Sequence, residues 1–232
     1  MPLAISSPSN IGNSLIDALE IKDRNLLLAA TKPVFLDAEL TIYEHEDAVR
    51  AVYFPLKAVF SSCSLMEDGS SAEVCLTGKE GIVGVSAVFG EQNARLWTNV
   101  LVAGQALKME KAALRQIVST NENLRKSFLG FYRELMMQVS RRAVCNGRHT
   151  LLQRFCFWLL LVHDRTATDE IPLTHEMIAR KLGARRAGVT NVAGVLQEAG
   201  AIIYSRGMIH IAERQILESE VCECYRSIKE QN

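Results

Sequence analysis

A chain of 232 residues with 48% hydrophobic content is long enough for one or two domains with well-buried cores. Its 26 basic and 26 acidic residues cancel, which excludes a strong overall field of either sign and leaves any contact with a polyanion to local charge. The cysteines stand at 63, 75, 145, 156, 222 and 224 with no paired C-x-x-C spacing, which argues against a disulfide framework or a four-ligand zinc site and for a reducing cytoplasm.

Met1 to Asn13 is rich in Ser, Pro and Asn, without a basic start or an apolar core, so residues 1–13 read as a disordered tail rather than a signal peptide. Ser14 to Ala30 suggests one or two short helices. Beyond Pro33 the texture changes to short apolar segments, Val34 to Leu40, Val49 to Phe54, Ala58 to Met66, Ala72 to Thr77 and Trp97 to Val102, several of them alternating and separated by turn residues. That spacing predicts a small antiparallel barrel or sandwich within residues 14–108.

Lys108 to Asn146 is the longest helical stretch, and residues 109–146 are assigned to a dimerisation helix. Leu114, Ile117, Asn121, Leu124, Phe128, Phe131, Leu135 and Gln138 follow a three-four spacing that suits a two-helix seam, with Asn121 placed to fix the register of a parallel pair. A second stripe, Val118, Leu129, Tyr132, Met136 and Val139, would then pack the helix on its own strands. A helix apolar on two sides also fits burial within a monomer. Gly147 marks a hinge into a last unit, residues 147–232, which begins with the helix LLQRFCFWLLLVHDR and the loop TATDE. The longest apolar run, Phe155 to Val162, is too short to span a bilayer, so no membrane is expected.

Leu173 to Gly200 carries the densest signals. Thr174 can cap a helix with Glu176 in its first turn and Leu173 placed to staple onto Ile178, and Gly183 ends it. Val189, Val192, Ala193 and Leu196 then recur at helical spacing up to Gly200. The opposite side of this second helix presents Arg186 with Thr190, and Ala187 with Asn191 and Gly194. An Arg fork matches the two acceptors of guanine and an Asn amide matches adenine, the chemistry of a helix that reads duplex DNA. Two helices joined by a glycine turn also occur in proteins that never touch DNA. Ala201 to Tyr204 and Met208 to Ile211 read as a hairpin around Arg206 and Gly207, a wing. Arg180, Lys181, Arg185, Arg186 and Arg206 against Glu176 and Glu198 give this segment a modest basic excess.

The pattern TxxxIAxxLGxxRxxVxxxxxxLxxAGxI followed by a small hairpin resembles the winged helix-turn-helix of the Crp/Fnr family of bacterial transcription regulators. YFPL at Tyr53 to Leu56 and GKEGIVG at Gly78 to Gly84 resemble the cyclic-nucleotide-binding β-roll of the same family. The resemblance implies an α+β fold: an N-terminal antiparallel, jelly-roll-like β-roll, a long dimerisation helix and a C-terminal winged helix-turn-helix. It implies DNA contacts from Thr174, Arg185, Arg186, Ala187, Thr190, Asn191 and Arg206. Arg186, Ala187 and Asn191 fall where the family uses Arg, Glu and Arg, so only the first reader is kept. Arg185 stands at the helix start, where a Ser or Thr cap is usual, and is assigned to a phosphate.

For an effector, the resemblance implies a pocket formed by Gly78, Glu80, Gly81, Gly84, Arg95, Val139 and Ser140. Arg95 lies one residue out of the family's register for the phosphate arginine, and in a strand such a shift turns a side chain to the other face. Cyclic AMP is therefore not expected, and neither is another cofactor or a metal. Cys222 and Cys224, one residue apart in an apparent helix, face different ways. Enzyme patterns fail: His175-Glu176 starts like a zinc-protease motif, but Ala179 stands where the second His is required, and GKEG lacks P-loop spacing. The resulting expectation is a cytoplasmic homodimer that binds double-stranded DNA at a palindromic operator, with RNA polymerase as a further partner. The alternative is a small-molecule sensor that acts through protein interaction, with the helix-turn-helix as its docking surface.

Overall fold

The computed structural model describes residues 10–229. Helices α1 (Ser14–Asp17) and α2 (Ile21–Ala29) lead into a roll of two sheets. β1 (Thr31–Leu36) and β3 (Ala51–Pro55) flank β7 (Gly104–Glu110), while β2 (Thr41–Tyr43), β6 (Trp97–Val102), β4 (Val59–Leu65) and β5 (Ser71–Thr77) form the second sheet in that order. All these pairings are antiparallel. The five strands expected from sequence are present; β2 and β7 are additional. β7 follows β6 after the single residue Ala103, and its alternating end, Leu107 to Glu110, runs directly into the stretch expected to be helical from Lys108.

The disordered reading of residues 1–13 is corrected at its C-terminal end. Asn13 is fully buried: its side-chain oxygen accepts from Ile16 N at 3.1 Å to start α1, and its amide donates to Pro55 O at 2.9 Å and Gly81 O at 3.0 Å. Residues 1–9 lie outside the described residues.

The single helix expected over 109–146 is two, α3 (Lys111–Thr120) and α4 (Glu122–Arg148), broken at Asn121. Asn121 is the cap of α4, its side-chain oxygen accepting from Leu124 N at 3.0 Å while its amide donates to Asp23 Oδ1 at 2.6 Å. It therefore fixes no register between chains. The other seam positions also point inward. Leu114, Leu124, Phe128 and Phe131 are buried in the roll's own core with Ile117 and Leu135 packed against it, and Phe128 lies 6.2 Å from the Phe54 ring. The second stripe divides: Val118 is buried in the same core and Val139 lines a cavity against the roll, while Leu129, Tyr132 and Met136 are 47%, 37% and 46% exposed. Both stripes share one helical period, so spacing shows two apolar faces without saying which meets the roll. Gln138 is buried and bonds both the N–H and the carbonyl of Leu76, extending the edge of β5 as a strand would.

α5 (Leu151–His163) is buried from Phe155 to Val162 and joins Val59, Leu76, Leu101 and Val102 of the roll to the C-terminal unit in one continuous core. Each of its large side chains contributes about 1.5–3 kcal/mol by leaving water. β8 (Glu170–Ile171), α6 (His175–Leu182), α7 (Arg186–Glu198), β9 (Ile202–Ser205) and β10 (Met208–Ile211) make the predicted helix pair and wing, with sheet order β8-β10-β9. α8 (Arg214–Glu220) and α9 (Glu223–Lys229) close the chain. Among the described residues, no helix is long and apolar enough to cross a membrane.

A buried polar junction fastens this unit to the roll. Glu73 of β5, 2% exposed, accepts from Ser61 Oγ at 2.6 Å and Trp158 Nε1 at 2.8 Å and pairs with Arg142 Nη1 at 3.1 Å. Arg142 also donates to the carbonyl of Lys181, and the Lys181 ammonium reaches Asn99 Oδ1 at 3.0 Å. Lys181, counted from sequence among the cations facing a polyanion, is thus spent inside the protein.

Candidate functional site

The residues expected to face DNA sit on a locally encoded frame. The Thr174 hydroxyl accepts from Met177 N at 3.1 Å and starts α6; Gly183, at φ +57°, ends it in a backbone conformation that costs glycine nothing. α7 buries Val189, Ala193 and Leu196, which leaves Arg185, Arg186, Ala187, Thr190 and Asn191 exposed on the other side. Arg185 precedes α7 with no side-chain cap bond, so the first amides of the helix stay open beside two guanidinium groups. The wing turns at Arg206 and Gly207, both left-handed at φ +50° and +77°, and Arg206 is exposed. The turn lies against Thr174, whose Cγ2 would stand 3.2 Å from a Cβ added at Gly207. The wing tip and the start of α6 are thus neighbours.

Sequence reasoning missed His175 as a positioning residue. Its ring stacks on Tyr204 of β9 at 4.0 Å, and its Nδ1 lies 3.0 Å from Thr190 Oγ1. The Thr190 hydroxyl donates to Arg186 O at 3.1 Å, so Nδ1–H is the donor to Thr190. One imidazole thus ties α6, α7 and the wing together. Burial, and secondarily the charge of Arg186, hold its pKa below the usual histidine range. The discoverable signal was a histidine in the first turn of α6 with aromatic and hydroxyl partners downstream, which only the tertiary fold brings together.

The expected effector pocket is brought together only in part. A cavity of about 350 Å³ lies between the roll and α4, and Gly84, Arg95 and Val139 line it with Tyr43, Ile82 and Tyr132. Gly78, Glu80 and Gly81 are elsewhere, a correction. Glu80 accepts from Gly78 N at 3.1 Å and from Arg165 Nε at 2.7 Å, at the end of α5. Gly81 backs onto the Phe131 ring, which an added Cβ would meet at 2.1 Å. Ser140 is exposed and donates to Met136 O at 2.8 Å, away from the lining. Arg95 reaches only the rim: its side chain is 67% exposed and pairs with Glu91 at 3.2 Å. The walls are mainly aliphatic and aromatic, with the hydroxyls of Ser62, Thr77 and Thr98 among them.

The reading of Cys222 and Cys224 as facing apart is also corrected. Cys222 lies in the turn before α9 and Cys224 in its first turn, and both approach Cys145 and His149. The sequence signal was Cys145-x-x-x-His149, one helical turn apart.

Two family models match this arrangement: a cyclic nucleotide-binding domain over residues 33–121 and a Crp-like helix-turn-helix domain over residues 153–220. No curated protein matches the sequence. Among solved structures, FixK2 from Bradyrhizobium japonicum is 16% identical with a TM-score of 0.70, over 83% of this chain and 98% of that one. The c-di-GMP responsive global regulator CLP of Xanthomonas campestris is 13% identical with a TM-score of 0.66, over 84% and 100%. A CRP/FNR-family transcriptional regulator from Thermus thermophilus is 20% identical with a TM-score of 0.65, over 84% and 98%. At these identities the solved structures establish the fold, and the two domain matches in their order establish the lineage. The chain belongs to the Crp/Fnr family of DNA-binding transcription regulators.

Proposed function

We propose that the protein is a cytoplasmic homodimer that reads a palindromic operator without cyclic AMP. The observation that carries this reading is the outer face of α7, where Arg186 and Asn191 stand exposed beside the open helix N-terminus while the inner face is buried. Arg186 reads a guanine and Asn191 an adenine; Arg185 and Arg206 hold phosphates on either side. The pairing surface is the exposed stripe of α4, Leu129, Tyr132 and Met136, whose three-four spacing suits a second copy of the same helix. Independence from cyclic AMP is supported by a cavity whose lining cation, Arg95, is at the rim in an ion pair, so a buried cyclic phosphate meets no free countercharge. Regulation, through contact with RNA polymerase or by blocking it, replaces any catalytic role.

The test is selection of the purified full chain, without added ligand, against randomised duplex DNA. Enrichment of a palindrome with half-sites about one helical turn apart supports the reading. Enrichment only after cyclic AMP is added overturns the ligand-free part, and no enrichment under either condition overturns operator reading itself.

A further inference from the structure

Three of the six cysteines behave as ordinary buried residues and three do not. Cys75 and Cys156 are buried singly, the usual fate of a small apolar thiol, and Cys63 is buried with its sulfur 3.4 Å from the Lys181 ammonium, outside any ligand cluster among the described residues. Cys145, Cys222 and Cys224 instead converge with His149 so that one ligand atom from each lies within 4.8 Å of the others. Cys145 Sγ is 3.6 Å from Cys222 Sγ, and Cys224 Sγ is 3.7 Å from His149 Nδ1. Zinc–sulfur bonds of about 2.3 Å at tetrahedral angles place neighbouring sulfurs about 3.8 Å apart, and sulfur and imidazole nitrogen slightly closer. The spacing therefore suits a single tetrahedral ion; a cluster of several irons would hold its ligands further apart. Among the described residues, no other group of Cys, His, Asp and Glu gathers in this way.

The surroundings are those of a ligand set. The far nitrogen of the imidazole, Nε2, lies 3.2 Å from Glu223 Oε2, which fixes the ring and leaves Nδ1 facing the thiols, the carboxylate–histidine arrangement that orients a metal ligand. Cys145, Cys222 and Cys224 are 1%, 4% and 1% exposed and His149 is half-buried, so three of the four ligand atoms are shielded from solvent.

We propose that Cys145, Cys222, Cys224 and His149 form a structural zinc site that clamps the end of α4 to the last helix of the DNA-binding unit. Binding is acid–base and not redox: Zn²⁺ accepts three sulfur lone pairs and one from Nδ1, and the thiol protons displaced go to solvent. The location gives the site its consequence. His149 is the first residue after α4, one before the cap of α5, so the ion holds the joint through which the roll and the DNA-reading helices are connected. This last step rests on the proposed function; the site itself does not.

The experiment is elemental analysis and cobalt titration of the full chain, purified without a histidine tag and under reductant. The expected result is one zinc per chain, and, after its removal, visible tetrahedral cobalt bands with thiolate charge transfer that one equivalent of zinc abolishes. Cys224→Ser should lose the bound metal, Glu223→Gln should weaken it about 10-fold, and Cys156→Ser should leave it unchanged. If the serine variant does not fold, the titration of the unaltered chain still decides. Reduced protein that gives no tetrahedral cobalt spectrum overturns the proposal. So does a Cys145–Cys222 disulfide in the isolated protein, or metal retained undiminished in a folded Cys224→Ser chain. None of these readouts depends on DNA binding, so their failure is distinguishable from failure of the operator reading.

Discussion

The outer face of α7 and the cavity of the roll are both inherited from the same family plan, and they have fared differently. On α7, Arg186, Thr190 and Asn191 are exposed where a duplex would meet them. In the roll, Glu80 is committed to Arg165, Gly81 to the Phe131 ring, and Arg95 to Glu91 at the surface. A helix face is built from residues three or four apart, so it stays assembled as long as one helix does, even where its side chains change, as at Ala187 and Asn191. A pocket needs side chains from several strands and from α4 to converge, and one partner taken elsewhere dismantles it. The face of α7 and the cavity of the roll can therefore be judged separately.

The largest effect should come from breaking the junction that joins the two regions. Glu73→Ala leaves Arg142 charged, and the Trp158 indole N–H unpaired, in a site closed to water. Removing one partner of a buried pair costs about 3–5 kcal/mol. Urea unfolding should show that loss as a lower midpoint or as separate melting of the roll and the C-terminal unit. A loss under about 1 kcal/mol, the size of an exposed pair, would mean that the continuous apolar core alone holds them together.

Next in size is the read-out itself. Arg186→Ala should weaken operator binding by about 1–3 kcal/mol and relax one base position, whereas Arg206→Ala should weaken binding to all sequences alike and lower its salt dependence. Competition with single-base operator variants, repeated across salt concentrations, separates the two. If Arg186→Ala keeps full selectivity, the assigned face of α7 is wrong.

These two regions were also unequally legible from sequence. The Thr174 cap, the Gly183 stop, the inward Val189–Ala193–Leu196 stripe and the Arg206–Gly207 turn are each decided within a few residues, and all stand as read. On α4 the expected seam turned inward and the middle of the second stripe outward, because Phe128 and Leu129 belong to stripes of equal period and only the roll decides which one it covers. Glu80 was misplaced because its partner, Arg165, is 85 residues away. The cysteine site was missed for the same reason, since Cys145 and Cys222 are 77 residues apart. Only half of that site, Cys145 and His149 one helical turn apart, left a local mark.

A smaller effect should follow pH through His175. Its folded pKa is lowered by burial and by Arg186, so the folded state holds the proton less tightly than the unfolded chain does. Stability is therefore full above the unfolded histidine pKa of about 6.5 and is lost as pH falls from there through the folded value. Protonation also adds a positive charge beside Arg186 on the face assigned to a polyanion, so operator affinity of the folded chain should rise over the same range. His175→Gln should flatten both profiles, read by thermal melts and binding isotherms between about pH 7.5 and 5. A profile unchanged by the substitution assigns the pH response to other groups.

The smallest effect is expected at Arg95, and its smallness is informative. In the family plan an arginine meets the nucleotide's phosphate; here Arg95 is mostly exposed and engaged in one surface ion pair. Surface pairs of this kind contribute about 0–1 kcal/mol, so Arg95→Ala should leave operator affinity and stability nearly unchanged, and cyclic AMP should shift neither the parent nor the variant. Calorimetric titration with cyclic AMP and operator binding in its presence check both points. A nucleotide response in the parent that Arg95→Ala removes would show that the Glu91 pair opens and the side chain swings into the cavity. The roll would then belong with α7, as an inherited site still in use, and the contrast between the two regions would vanish.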